Sequence, residues 1–153
     1  MKMKKIAFIV VIALAAVGCC DCRKSVSGNH KPLNVTEWRL QQVEGRNVAS
    51  LLTEESVPTL VLSADGSYGG NGGCNNYGGQ YTIVPSELSY QKDSVGKIDF
   101  GAMYSTKRYC PNDKFEYEFF GLLDKVDSFT IEGDRLYLFT DGELKLVFVA
   151  GSK

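Results

Sequence analysis

Gly69-Gly70-Asn71-Gly72-Gly73-Cys74-Asn75-Asn76-Tyr77-Gly78-Gly79-Gln80-Tyr81 gathers six of the chain's sixteen glycines. Glycine at this density marks a backbone that takes positive φ or lets another segment approach closely. A cysteine and three asparagines sit inside the run, and Tyr77 and Tyr81 flank its second glycine pair. Working outward, Thr59-Leu60-Val61-Leu62 reads as a strand and Asp65-Gly66 as a hairpin turn. Ser67 and Tyr68 begin a return strand that enters the run. On the far side Gln80–Val84 alternates and is rich in β-formers, and Pro85 ends it. Leu88–Gln91 and Lys97–Phe100 are short strand candidates.

The rest of the chain repeats this style. Trp38 and Leu40 lie on one side of a strand over Thr36–Val43, with Glu44-Gly45-Arg46-Asn47 as its turn and Ala49–Pro58 as an irregular connector. Phe115, Phe119, Leu122, Leu123 and Val126 form an apolar stripe on a helix that opens near Pro111 and runs to about Lys125. Asn112 and Asp113 are alternative caps. Ser128–Glu132, Arg135–Phe139 and Leu144–Val149 form a meander turned at Gly133-Asp134 and Asp141-Gly142. Many short strands, tight turns and one helix predict an α+β fold on an antiparallel sheet of about eight strands, which curls.

Length and composition suit one domain, with 153 residues, 44% hydrophobic and 23% charged. Net charge is −1 and becomes −4 once Lys2, Lys4 and Lys5 are removed with the leader. Such a chain lacks the basic footprint of a nucleic-acid binder. Those lysines precede an apolar stretch, Ile6–Val17, of signal-peptide length, short of the roughly 20 residues of a spanning helix. Ala16-Val17-Gly18-Cys19 looks like a bacterial lipobox, which assigns residues 1–18 to a signal peptide and makes Cys19 the lipidated mature N-terminus. Acyl chains contribute about 0.8 kcal/mol per buried CH₂ and hold the protein on the membrane. Cys20 as the modified residue and an ordinary secretory signal are the competing readings. Residues 19–32 form a polar tether holding His30, the single histidine, read as solvated, and Cys22, which with Cys20 either pairs with another chain or stays free.

Gly73-Cys74-Asn75 followed by Gly79-Gln80-Tyr81, Thr106 four residues before Cys110, and Glu116 six further on resemble the motifs of the META domain family, the HslJ-like bacterial envelope lipoproteins. The Trp38-Arg39-Leu40 opening matches as well, so the resemblance spans about Val35–Val149, within a domain placed at residues 33–150. It implies a strongly curved, half-barrel-like antiparallel sheet with a packed helix. It also implies an envelope location, with the outer membrane as the anchoring membrane, and a stress-related role, including heat shock. With export to an oxidising compartment, Cys74 and Cys110 become the natural disulfide pair, which in the chain-entropy model stabilises by roughly 4 kcal/mol. The alternative is two buried free thiols. Asn75 has a structural reading as a tie for the glycine-rich loop, and Glu116 as a favourable charge at a helix start. The sharper reading makes Gly73, Asn75, Tyr77, Tyr81, Thr106, Arg108 and Glu116 a motif surface, with Asn75, Tyr77, Thr106 and Arg108 facing a partner.

Chemistry has few footholds. The domain cysteines have no histidine to activate them. Every carboxylate is expected on a turn or solvent face. Cys20-Asp21-Cys22 is tighter than a zinc CxxC, and the glycine run lacks a phosphate-loop ending. The expectation is a monomeric, non-catalytic envelope module, without metal or cofactor, that binds an envelope protein or a small apolar ligand. The alternative is a hydrolase or transferase using carboxylates and Tyr.

Overall fold

The computed structural model describes residues 30–84, 95–110 and 113–151. The leader, Cys19, Cys20, Cys22, most of the tether, the Leu88–Gln91 strand candidate and the Pro111 and Asn112 positions lie outside the described residues. The strands are β1 (Glu37–Val43), β2 (Arg46–Asn47), β3 (Thr59–Leu62), β4 (Ser67–Asn71), β5 (Asn76–Val84), β6 (Gly96–Phe100), β7 (Tyr104–Ser105), β8 (Ser128–Glu132), β9 (Arg135–Thr140) and β10 (Glu143–Ala150). Among the described residues one α-helix, α1, spans Asp113–Leu123. The expected α+β architecture with a curved antiparallel sheet is present.

The glycine run itself is a hairpin rather than a loop. β4 and β5 pair from Ser67↔Gln80 to Asn71↔Asn76, leaving only Gly72–Asn75 outside the ladder. The curvature goes further than a half-barrel. Strands follow the order β10-β9-β8-β6-β5-β4-β3-β1, and β1 pairs with β10 to close the ring. β2 and β7 are short additions on β1 and β5. Register shifts interrupt β1 between Leu40 and Gln42 and β10 between Leu144 and Leu146, and such bulges bend strands enough to close a barrel. Two tight turns use positive φ at both central residues, Glu44-Gly45 and Asp141-Gly142, which matches the twist of the strands they join.

An eight-stranded barrel is just wide enough for side chains to fill. Alternate residues do so here: Trp38, Leu60, Leu62, Leu136, Leu138, Leu146 and Phe148 are fully buried. Phe119 of α1 enters from one end. Its ring lies 5.7 Å from Tyr77 on β5 and 6.3 Å from Phe148 on β10, strands on opposite sides of the ring. The helix therefore plugs the end that carries the β4–β5 and β9–β10 connections. The β3–β4 and β8–β9 turns lie at the other end, with the start of β1 and the end of β10. There Lys31 N donates to Gly133 O at 2.9 Å, and Gly133 N donates to His30 Nδ1 at 3.0 Å. His30, exposed as expected of a tether residue, also fastens the incoming chain to the β8–β9 turn.

The buried tyrosines give this core a pH signature. Burial, with the nearby Asp124 carboxylate and Tyr104, pushes Tyr68 up to about 12. Burial, then Tyr68, drives Tyr77 well above its ordinary value. Phenols held protonated in the fold and ionising near 10 when unfolded stabilise the fold fully below about pH 10. That contribution is lost as pH rises towards about 12. Denaturant midpoints should fall across this interval, and less steeply in Tyr68→Phe. A midpoint that stays level across it contradicts the assignment.

Candidate functional site

The motif residues meet at the plugged end. The loop Gly72–Asn75 closes through Gly72 N, which donates to Asn75 O at 2.7 Å, and Gly73 N, which donates to Asn71 Oδ1 at 2.8 Å. Gly73 has φ +114°, a conformation that side chains resist, and a Cβ there would lie 2.8 Å from Ser56 O. At Gly72 a Cβ would lie 2.6 Å from the Phe120 ring and 2.7 Å from Glu116 Oε1. The loop must be this thin for α1 to seat against it.

Glu116 sits on the inner face of α1, one turn before Phe119, and is only 4% exposed. Expected on a solvent face, it is instead buried. Glu116 Oε1 accepts from the backbone N–H of Asn75 at 2.6 Å and of Cys74 at 3.1 Å. Its Oε2 accepts from Asn75 Nδ2 at 2.7 Å. Burying a carboxylate is costly unless hydrogen bonds replace its water, and three do so here.

Asn75, 6% exposed, reaches from Glu116 to the next segment. Its Nδ2 also donates to Arg108 O at 3.4 Å, while its Oδ1 accepts from Arg108 N at 2.7 Å and from Thr106 Oγ1 at 2.8 Å. The amide thereby uses two donors and two acceptors, its full capacity. Thr106 Oγ1 accepts in turn from Asn76 N at 3.2 Å. Cys74 and Cys110 are disulfide-bonded with Cα atoms 6.4 Å apart, closing the same junction covalently. Among the described residues the one buried side-chain polar atom without a partner is Thr140 Oγ1, outside this network.

The structure therefore gathers Gly73, Cys74, Asn75, Thr106, Arg108, Cys110 and Glu116 into one junction. Tyr77 lies beneath it, buried, its hydroxyl donating to Thr59 O at 2.7 Å. Tyr81 is remote, its hydroxyl donating to Ser63 O at the opposite end. Arg108 enters through its backbone and leaves its side chain exposed. Two open grooves flank the junction: one of about 390 Å³ bordered by Leu52, Ser56, Phe115 and the disulfide, and one of about 460 Å³ bordered by Thr106, Arg108, Tyr109 and Tyr117. Among the described residues no three metal-ligating side chains come together. The burial of Glu116 was readable from its place on the 116, 119, 120, 123 face of the helix. The short β7 strand has too few residues to carry a pattern.

A family model described as META domain matches residues 31–153. No curated protein matches the chain. An NMR structure of a protein from Burkholderia xenovorans is similar at 22% identity, covering 79% of this chain and 85% of that chain with a TM-score of 0.53. At that identity the likeness is one of fold.

If the junction is a lock, its members fail together. Each buried donor left unsatisfied costs about 1–3 kcal/mol. Asn75→Ala and Glu116→Gln should each lower unfolding free energy by about 2–4 kcal/mol, and the double variant by clearly less than the sum. Additive or negligible losses in denaturant titrations contradict the network.

Proposed function

This chain belongs to the META domain family, and from that premise we propose that it is a non-catalytic binding module of the cell envelope, lipid-anchored through Cys19 to the outer membrane. The observation that carries the reading is how the motif's polar groups are used. Asn75, Thr106 and Glu116 bond one another and nearby backbone, so the motif's own polar groups are engaged in holding the junction together. Tyr77, held protonated by burial, is poorly suited to accept a proton. What the motif builds is a rigid platform at one barrel end. A protein partner suits that platform better than a small apolar ligand, because the barrel interior is filled by Trp38, Phe119 and Phe148.

The attachment geometry supports an outward-facing platform. His30 and Lys31 bind the β8–β9 turn, so a lipid on Cys19 draws the end opposite the platform towards the membrane. The platform then points away from it.

Mature protein purified from its own host tests both parts. Mass spectrometry of the N-terminal peptide should find acyl chains on Cys19, and a panel of hydrolase and transferase substrates should yield no turnover. An unmodified N-terminus elsewhere contradicts the anchor. Turnover abolished by a single carboxylate or Tyr substitution, with the fold intact, contradicts the binding-module reading.

A further inference from the structure

The segment Thr106–Cys110 is gripped by its backbone and displayed by its side chains. Asn75 holds both the N–H and the C=O of Arg108, Thr106 N donates to Asn76 O at 2.9 Å, and Cys110 is bonded to Cys74. Yet Lys107, Arg108 and Tyr109 project into solvent, Tyr109 being 93% exposed. A loop fixed this way gives up little backbone freedom when a partner arrives.

Its side chains are also uncommitted. Arg39, Arg46 and Arg135 donate to Glu54, Glu118 and Gln41. The guanidinium of Arg108 has no partner among the described residues. Tyr68, Tyr77 and Tyr81 are buried with their hydroxyls bonded inside the fold. Tyr117, 68% exposed on α1, instead borders the same groove as Tyr109 and Arg108, with half-buried Phe120 beside it. Exposed Tyr and Arg on a rigid frame are the residue types that dominate binding at protein interfaces.

We propose that this face docks an acidic segment of a partner polypeptide, with a carboxylate on Arg108 and an apolar or aromatic side chain between Tyr109 and Tyr117. This inference rests on the binding-module reading and names its partner class. A guanidinium accepts a carboxylate in a two-bond fork, and Lys107 adds positive potential beside it. Asp113 and the buried Glu116 carboxylate also border the groove and disfavour an unbroken acidic run, so carboxylates spaced by apolar residues fit best. An anionic membrane fits less well, since such surfaces recruit clusters of about four to eight cations.

The test is fluorescence anisotropy with the mature protein in detergent and a labelled peptide alternating Glu with Phe and Leu. The control peptide carries Gln for Glu. The Glu peptide should bind at least about tenfold more tightly than the control and weaken as salt rises. R108A and Y109A should each weaken it by about tenfold, with the Cys74–Cys110 bond unchanged, because the lock uses only the backbone of Arg108. Equal affinity for the two peptides, no binding of either, an unaffected R108A, or preference for anionic vesicles or an acidic oligosaccharide overturns the proposal. If that happens in protein inert towards hydrolase and transferase substrates, only the partner class falls. Turnover by the same preparation removes the reading beneath it.

Discussion

A carboxylate sealed inside a protein must find donors to replace its water, and Glu116 finds three in one tetrapeptide loop and its asparagine. Most of the loop end follows from that requirement. The loop needs glycine at 72 so that Glu116 and Phe120 can approach, and glycine at 73 to turn both following N–H groups inward. Asn75 must be an amide, because it donates to the carboxylate while accepting from Thr106 and Arg108. The disulfide adds a covalent closure where the polar network already converges. In this light Gly73, Cys74, Asn75, Thr106, Cys110 and Glu116 are parts of one joint between hairpin, crossing segment and helix.

That joint sets the division of labour between the two ends of the barrel. With β1 paired to β10 the strands join into a ring, and the interior is packed with side chains. Variation in surface chemistry is left to the ends. One end receives the incoming chain at the β8–β9 turn, and the other carries α1, the joint and the exposed side chains of 107–109. The motif's polar groups are spent on rigidity, and a rigid display suits the recognition role proposed above.

Much of this was legible in the residues. Alternation in β1, β9 and β10 and the turns at Asp65-Gly66, Gly133-Asp134 and Asp141-Gly142 marked their elements closely, because short-range sterics decide both. The stripe of Phe115, Phe119 and Leu123 marked the helix. Ring closure was not legible, because pairing of β1 with β10 joins residues about a hundred positions apart and leaves no local pattern. The strands inside the glycine run were hidden for the opposite reason: glycine carries no side-chain alternation to read. Glu116 was misread because a charged residue near a helix start has a sufficient explanation at the surface. The contrary signal was its position in register with Phe119 and Leu123. Tyr77 gave no hint of its burial within so many polar and glycine neighbours.

The Asn75–Glu116 network should hold the crossing segment as firmly as the barrel itself. Native-state amide hydrogen exchange addresses it without altering the protein. The N–H groups of Asn75 and Arg108 lie in connecting segments, yet they donate to Glu116 Oε1 and Asn75 Oδ1 at 2.6 and 2.7 Å. Both should exchange only through openings close to global unfolding, with protection comparable to the amides of β9 and β10. Exchange of these two amides at the rates of an open loop, while the strands remain protected, would contradict the account.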